Sequence, residues 1–417
     1  MLLPPNLPED PILAADDSML TRRLGREVIN YFSGSHLNRY SFLRSDPLFL
    51  RTAIGTPATR FIVLKSLNPL IADAQNLAFF GFDDVKGLTG PDPFGDEYDV
   101  KLYDSTRRRG PLVVFLGLVL QPAAEELAVD IATEKHGVVR GQPYFAVDAT
   151  PSPDSHGERA EEFLKSAEAK GPLVQSNARS MTLNPKDDPA AMYAQARSLM
   201  DWNARNAFCA ACGRPTIPSE AGYKRLCPPV DCASAPPAPL PDCPTRHGIS
   251  NISFPRTDPT MIAAVVSADG ARLLLGRQAR WPPRWYSALA GFLEPGESIE
   301  DAVRREVWEE SGVRVGRVAI HSSQPWPFPA SLMIGAIAQA LPGGEDIELN
   351  DKELEDAKWF TIAEVREALD RGGLALDEAE KGAGGVAGHL RLPPPQAIAN
   401  RLVRAVVDGF LSAAPKI

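Results

Sequence analysis

Nine charged residues, Glu297, Arg305, Glu306, Glu309 and Glu310 among them, crowd into one short stretch, GFLEPGESIEDAVRREVWEESGV at 291–313. Carboxylates at that density suit hard divalent cations such as Mg²⁺ or Mn²⁺, which prefer oxygen ligands. Pro295-Gly296 is a turn signal. Ser298 followed by Asp301 reads as a helix N-cap with a weak capping box, and Gly312 is a natural residue to end the helix. The spacing therefore predicts a helix over about 299–311. At about 100° per residue, Ile299, Ala302, Val303 and Val307 share one face. Glu306 and Glu310 fall in the middle of that face and Glu309 at its edge, while Asp301, Arg304 and Trp308 point the other way. Carboxylates on an inward face are costly unless something pairs with them. The alternative, a charged helix on a solvated face, does not fit this distribution.

A second cluster is made of sulfur. Cys209, Cys212, Cys227, Cys232 and Cys243 are the five cysteines of the chain. Their odd number and tight grouping argue against a disulfide framework. Cys209-Ala-Ala-Cys212-Gly213 is a knuckle turn presenting two thiolates, and Cys227 follows at close to ribbon spacing. A closed tetrahedral zinc site needs one more ligand, for which Cys243 and Cys232 compete, with His247 a weaker third. The intervening DCASAPPAPLPDCP reads as a Pro/Ala-rich insertion into the second knuckle. Such a zinc is structural, because a closed thiolate site keeps no open position.

The third feature is SQPWPFPAS at 323–331. Its prolines stiffen a loop at low entropic cost. They present Trp326 and Phe328 as flat faces suited to a planar ring, with Gln324 and Ser331 available for edge hydrogen bonds. A surface loop whose aromatics pack into the core is the equally weighted alternative.

The elements that must position these residues are legible in outline. Strand candidates in the first half include Arg60–Leu64, Leu77–Gly81 and Leu112–Leu120, separated by acidic Gly/Pro-rich loops such as LTGPDPFGDEYD. Residues 154–170 and 188–206 read as helices. Further strands are expected at Thr260–Ser267, Arg272–Gly276, Val315–Ser322 and Leu332–Gln339, with a final helix over roughly Gln396–Ser412. No internal sequence repeat is visible. The chain has 417 residues, 44% hydrophobic residues and a formal net charge of −9. That length suits two or three domains, and the net charge excludes a general polyanion binder, so any nucleic-acid contact must be local. The longest apolar run, Pro111 to Leu120, has the length of a core strand, far below the roughly 18–20 residues that span a membrane. MLLPPNLPED lacks the features of a secretory signal. The terminal Pro415-Lys416-Ile417 imitates a Ser-Lys-Leu peroxisomal address poorly. The expected location is cytoplasmic or peroxisomal.

The segment 291–313 resembles the Nudix box with no departure at its defining positions. Together with SQPWPFPAS and the cysteine module, it resembles the NADH pyrophosphatase branch of the Nudix hydrolases over most of the chain. The longer cysteine module and the run SNISFPRTDP resemble the fungal members. The resemblance implies an α/β (α+β) fold: a Nudix α/β/α sandwich, a preceding zinc ribbon and a divergent α/β N-terminal domain. The expected domains are a Pro-rich segment over 1–23, the N-terminal domain over 24–206, the zinc ribbon with its insertion over 207–253 and the catalytic domain over 254–417.

By the same resemblance, Glu306, Glu309, Glu310 and the carbonyl of Ala290 are metal ligands. Glu353 of KELEDAKW is a further one, or Glu355 if the register slips. Phe254, Phe292, Gln324, Pro325, Trp326, Pro327, Phe328, Pro329, Ala330, Ser331 and Ala399 match substrate-contacting positions. Cys209, Cys212, Cys227 and Cys243 match zinc ligands, with Cys232 the departure from the pattern. The implied reaction is hydrolysis of the pyrophosphate of NAD(H) to NMN(H) and AMP, aided by Mg²⁺ or Mn²⁺, and removal of NAD caps from RNA 5′ ends. Glu309 or Glu310 accepts the proton of the attacking water. Arg305 pairs with a box carboxylate such as Glu297, itself counted with the catalytic residues. A homodimer is also implied. The alternatives are a Nudix hydrolase of another nucleoside diphosphate, such as ADP-ribose, and a non-catalytic NAD(H)-binding protein.

Overall fold

The computed structural model describes residues 28–73, 75–95, 100–106, 110–152, 156–171, 174–175, 189–247, 252–350, 353–373 and 389–409. The Pro-rich 1–23 and the terminal Pro415–Ile417 lie outside the described residues. Two compact units emerge. The first comprises Ser35–Arg256 and Pro327–Ala330; the second comprises Thr257–Trp326, Ser331 onward and the stretch that ends at Gly34. Residues 28–34 group with the second unit and 254–256 with the first.

In the first unit, helix α1 (Pro47–Gly55) starts where Asp46 accepts the N–H of Phe49 at 2.9 Å, with Pro at the first helical position. Strands β1 (Arg60–Lys65), β2 (Asn68–Ile71), β3 (Phe79–Phe80), β4 (Val113–Val119), β5 (Val129–Ala132), β6 (Val138–Asp148) and β7 (Val174–Gln175) form one sheet with central order β4-β6-β1-β2-β7. β1 and β6 run parallel. Helices α2 (Phe82–Thr89), α3 (Gly157–Lys170) and α4 (Pro189–Arg205) belong to the same unit. Its core is aromatic: Phe145 lies 5.6 Å from Phe61 and 5.3 Å from Phe115, ring centre to ring centre. The strand expected at Leu77–Gly81 shrinks to two residues. The cysteine segment adds two short antiparallel pairs, β8 (Ile217–Ser219) with β9 (Lys224–Leu226) and β10 (Val230–Asp231) with β11 (Ala238–Pro239).

The second unit is built around β12 (Asp258–Val266). Met261, Ala263 and Val265 face one core; Ile262, Ala264 and Val266 face another. A strand apolar on both sides must be covered on both. Helix α5 (Ile299–Ser311) covers the first face through Ala302, Val303 and Val307. Helices α6 (Ile362–Asp370) and α7 (Ile398–Val407) cover the second through Val365, Leu369, Ile398, Leu402 and Val403. With β13 (Arg272–Arg277), β14 (Leu289–Phe292), β15 (Val315–Trp326), β16 (Ser331–Ala340) and β17 (Asp356–Thr361), the sheet order is β15-β16-β12-β13-β17, and β14 pairs with β12. The result is the expected α/β/α sandwich. Among the described residues, no helix is long and apolar enough to cross a membrane.

Two expectations change here. The stretch from Ser323 to Trp326, read as loop, is strand: β15 pairs with β16 down to Trp326 opposite Ser331. Pro325 is tolerated because β15 is an edge strand, where a missing donor breaks no interior ladder. The final helix is shorter than expected, beginning at Ile398 after Pro393–Pro395 and closing on Asp408.

Helix α5 is fixed at both ends as the sequence predicts. Ser298 Oγ accepts the N–H of Asp301 at 3.2 Å, and Gly312 takes φ +72° while its N–H bonds Trp308 O at 2.8 Å. A Cβ on Gly312 would lie 2.9 Å from the backbone N and O of Glu348. Gly312→Ala is therefore expected to destabilise the fold by about 1–2 kcal/mol through the left-handed backbone alone, plus the displacement of Glu348. A lowered thermal midpoint checks this, and an unchanged midpoint contradicts it.

Candidate functional site

Helix α5 delivers Glu306 and Glu310 to its packed side, one turn apart below Ala302. Glu310 is 4% exposed, and Glu306 keeps only 15% of its side chain exposed. Between them and the loop before the helix sits the guanidinium of Arg305. Its Nε and Nη2 donate to the two oxygens of Glu297 at 2.8 and 2.9 Å. Nη1 donates to Glu306 and Glu309, both at 2.9 Å. Nη2 also reaches Phe292 O at 2.9 Å. The fork of five donors suits this multiple recognition in a way a lysine could not. The hydrogen bonds to Glu297, then those to Glu306 and Glu309, hold Arg305 more firmly protonated than usual despite its burial. Arg305 in turn holds Glu297 below the usual carboxylate range. The expected Arg305–Glu297 pair is present; its extension to Glu306, Glu309 and Phe292 is not readable from spacing. Glu297 acts on Arg305, and so positions the other carboxylates rather than standing as an isolated base.

Glu306 behaves in the opposite way. Burial raises its pKa, and although Arg305 opposes this, the charges of Glu309 and Glu353 push it up further. A pocket where one carboxylate is destabilised by two others fits a cation. Glu353 is thus a neighbour in charge of Glu306. Glu355 turns elsewhere: its side chain pairs with Arg277, and its N–H bonds Arg277 O at 2.9 Å. Of the two, Glu353 and not Glu355 is the one whose charge reaches Glu306. Ala290 lies on β14 opposite Ile262, one residue before the closest backbone approach of the site. At Gly291, a Cβ would meet the Glu306 carboxyl carbon at 2.0 Å and its oxygens at 2.2 and 2.3 Å. Only glycine leaves that side chain its place.

The expected substrate positions divide. Phe292 is 59% exposed, and its carbonyl accepts Arg305 Nη2 at 2.9 Å. Trp326 is partly exposed at the end of β15, and Ser331, 6% exposed, opens β16. Gln324 is 1% exposed, and its amide is spent: Nε2 donates to Tyr31 O at 2.9 Å and Gln396 O at 2.8 Å, and Oε1 accepts the N–H of Ile398 at 2.9 Å. In this structure the Gln324 amide fastens backbone at Tyr31, Gln396 and Ile398. Ala399, on α7, is 4% exposed and its side chain packs in the core. Pro325 is partly exposed and Pro329 exposed. Pro327, Phe328, Pro329 and Ala330 form the hairpin tip that groups with the first unit. There Phe328 is 8% exposed with the Arg197 guanidinium 4.8 Å above its ring, so the packed-aromatic alternative holds for Phe328. Phe254, also in the first unit, is half-buried under Lys224 at 5.1 Å.

The thiolates converge. Sγ atoms of Cys209, Cys212, Cys227 and Cys243 all lie within 4.8 Å of one another. Cys209–Cys243 is 3.6 Å and Cys212–Cys227 3.4 Å. These are too long for disulfides, at about 2.05 Å. They are close to the ~3.8 Å edge of a tetrahedron with ~2.3 Å Zn–S bonds. The four residues fit structural zinc. Cys232 is held elsewhere, its N–H on Tyr103 O at 2.7 Å and its thiol on Lys101 O at 3.6 Å. His247 pairs instead with Asp242 at 2.5 Å. The β10–β11 hairpin is the insertion that carries Cys232 away while returning Cys243.

Two outcomes follow. Cys243→Ser is expected to lose bound zinc, counted by mass spectrometry of the native protein, while Cys232→Ser keeps it; the reverse pattern removes Cys243 from the cluster. Gly291→Ala is expected to expel Glu306 from its position and lower kcat by about 10²-fold or more, as a ~1 Å misplacement does, with the melting temperature little changed. Normal turnover in that variant contradicts the packing.

Known families match all three parts of the chain. The family models are the NUDIX domain at 257–378, the NADH pyrophosphatase zinc ribbon domain at 204–229 and the NADH pyrophosphatase-like rudimentary NUDIX domain at 58–202. The chain is 38% identical over 381 residues to the NAD-capped RNA hydrolase NUDT12 of Homo sapiens, covering 91% of this chain and 73% of that one. It is 34% identical over 384 residues to the NAD-capped RNA hydrolase of Schizosaccharomyces pombe, covering 90% and 92%. It is 32% identical over 396 residues to the NAD-capped RNA hydrolase NPY1 of Saccharomyces cerevisiae, covering 92% and 96%. With similarity sustained across most of each sequence, the chain belongs to the NADH pyrophosphatase (NAD-capped RNA hydrolase) family of Nudix hydrolases.

Proposed function

We propose that this chain hydrolyses the pyrophosphate of NAD(H), giving NMN(H) and AMP, and removes NAD caps from RNA 5′ ends. The observation that carries the reading is the carboxylate cluster gathered around Arg305, whose guanidinium also holds the carbonyl of the exposed Phe292. One feature addresses phosphate through cations, the other a planar base. The relatives named NAD-capped RNA hydrolases, and the mouse NAD(P)H pyrophosphatase NUDT13, 40% identical over 244 residues, support the choice of dinucleotide.

Glu306, Glu309, Glu310, Glu353 and the carbonyl of Ala290 are the groups that would hold Mg²⁺ or Mn²⁺. When bound, such a cation lowers the pKa of a water and offsets charge on the phosphoryl oxygens. The protein's own residues do the rest. Arg305 aims Glu306 and Glu309 through its hydrogen bonds, and Glu297 holds Arg305 in place. Glu309, with 39% of its side chain exposed, is more open than Glu306 or Glu310 and is the group set to take the proton from the attacking water. Phe292 and Trp326 supply flat apolar faces to a base. The net charge of −9 suits an enzyme that reads a cap rather than a long stretch of RNA backbone. The homodimer implied by the resemblance belongs to this reading, with light scattering as its check.

The test is a side-by-side turnover assay with NADH, NAD⁺, ADP-ribose and NAD-capped RNA under Mg²⁺ and Mn²⁺. NADH and the capped RNA are expected to give the highest kcat/KM; a preference for ADP-ribose would sink the reading. Glu309→Gln and Glu310→Gln are each expected to lower kcat by about 10²–10⁴-fold with the fold retained. Near-normal turnover in either refutes its role.

A further inference from the structure

The stretch that ends at Gly34 meets strand β15 through a tight turn. Asn30 O accepts both the N–H and the hydroxyl of Ser33, at 3.1 and 2.5 Å. Tyr31 and Phe32 occupy the corner. Phe32 sits at φ +72°, a left-handed conformation that turns normally assign to Gly or Asn. It is also buried, at 6% exposure. Bulky residues persist in that region only where their surroundings over-determine them, and such outliers gather at ligand sites.

The surroundings here are the substrate strand. Asn30, 2% exposed, donates its amide to Ser322 Oγ at 3.0 Å and Ser323 O at 2.9 Å. Tyr31 O accepts the amide of Gln324 at 2.9 Å. The Phe32 ring meets Trp326 edge-on, with centres 6.0 Å apart and planes at 74°. Residues 30–32 thus contact the strand at 322, 323, 324 and 326, in register. Gln324 ties the same point to Gln396 and Ile398 at the start of α7.

We propose that the Asn30–Ser33 turn is a positioning element for substrate recognition: Asn30 and Tyr31 fix the strand, and the ring edge of Phe32 sets the plane of Trp326 for the base of a dinucleotide. The strain at Phe32 is tolerated because it aims that ring. This rests on Trp326 as a substrate contact, as proposed above.

The experiment is a double-mutant cycle on the full-length enzyme, with KM and kcat for NADH measured for Phe32→Ala, Trp326→Ala and the pair. Phe32→Ala is expected to raise KM about tenfold with kcat within about twofold, the signature of lost uniform binding. Phe32→Tyr, which keeps the ring edge, is expected to restore it. In the Trp326→Ala background the Phe32 substitution adds little, because coupled residues are not additive. An unchanged KM for Phe32→Ala while Trp326→Ala is impaired overturns the positioning role alone, as do fully additive effects. An unimpaired Trp326→Ala sinks the substrate reading itself. If Phe32→Ala does not fold, Phe32→Leu keeps apolar bulk without the ring edge. A folded Phe32→Leu protein with normal KM overturns the proposal.

Discussion

One guanidinium holds the candidate active site together. Arg305 bonds Glu297, Glu306, Glu309 and the carbonyl of Phe292, joining the loop before α5, the helix and the end of β14. Burying carboxylates on a packed helix face is unfavourable unless their charge is answered. Arg305 answers part of it. Glu306 stays destabilised in its charged form, first by burial and then by Glu309 and Glu353, a balance that suits a cation.

Around this interaction the sheet supplies precision. β12 is apolar on both faces, so helices must cover both, and α5 is pinned by Ala302, Val303 and Val307 against Met261, Ala263 and Val265. Pinning the helix fixes where Glu306 and Glu310 point. Gly291 then removes the one Cβ that would collide with Glu306. From the opposite edge, Arg277 clamps Glu355 next to the start of β17, which leaves Glu353 beside Glu306 in charge. Three elements distant in sequence each contribute a carboxylate or the space for one.

The aromatic motif is used less uniformly than its sequence suggests. Phe328 is buried under Arg197 and Gln324 is consumed by backbone bonds, so both serve to hold structure. Phe292 and Trp326 keep exposed ring surface. Prolines stiffen the motif, but the neighbours decide which rings are left for a ligand. The cysteine module makes the same point. Cys232 and Cys243 are equivalent in type, and the β10–β11 hairpin separates them by carrying one away.

Local physics made the helix legible. Ser298, Gly312 and the apolar period 302–303–307 place α5 from end to end, because caps and periodicity act within a few residues. The inward placement of Glu306 and Glu310 follows from the same period, and Cys209, Cys212 and Cys227 follow from knuckle spacing. Other features needed the folded chain. The saturation of Gln324, the choice of Cys243, the preference for Glu353 over Glu355 and the grouping of residues 28–34 with the catalytic unit depend on contacts between segments far apart in sequence. No local signal marks Phe32 for a left-handed turn; burial against Trp326 and hydrogen bonds from Asn30 impose it. The sequence by itself determined which groups are available and which faces they share. Tertiary structure decided which of those groups are spent on holding the fold and which are left for chemistry, because a buried donor or acceptor must be satisfied by whatever the fold brings near it.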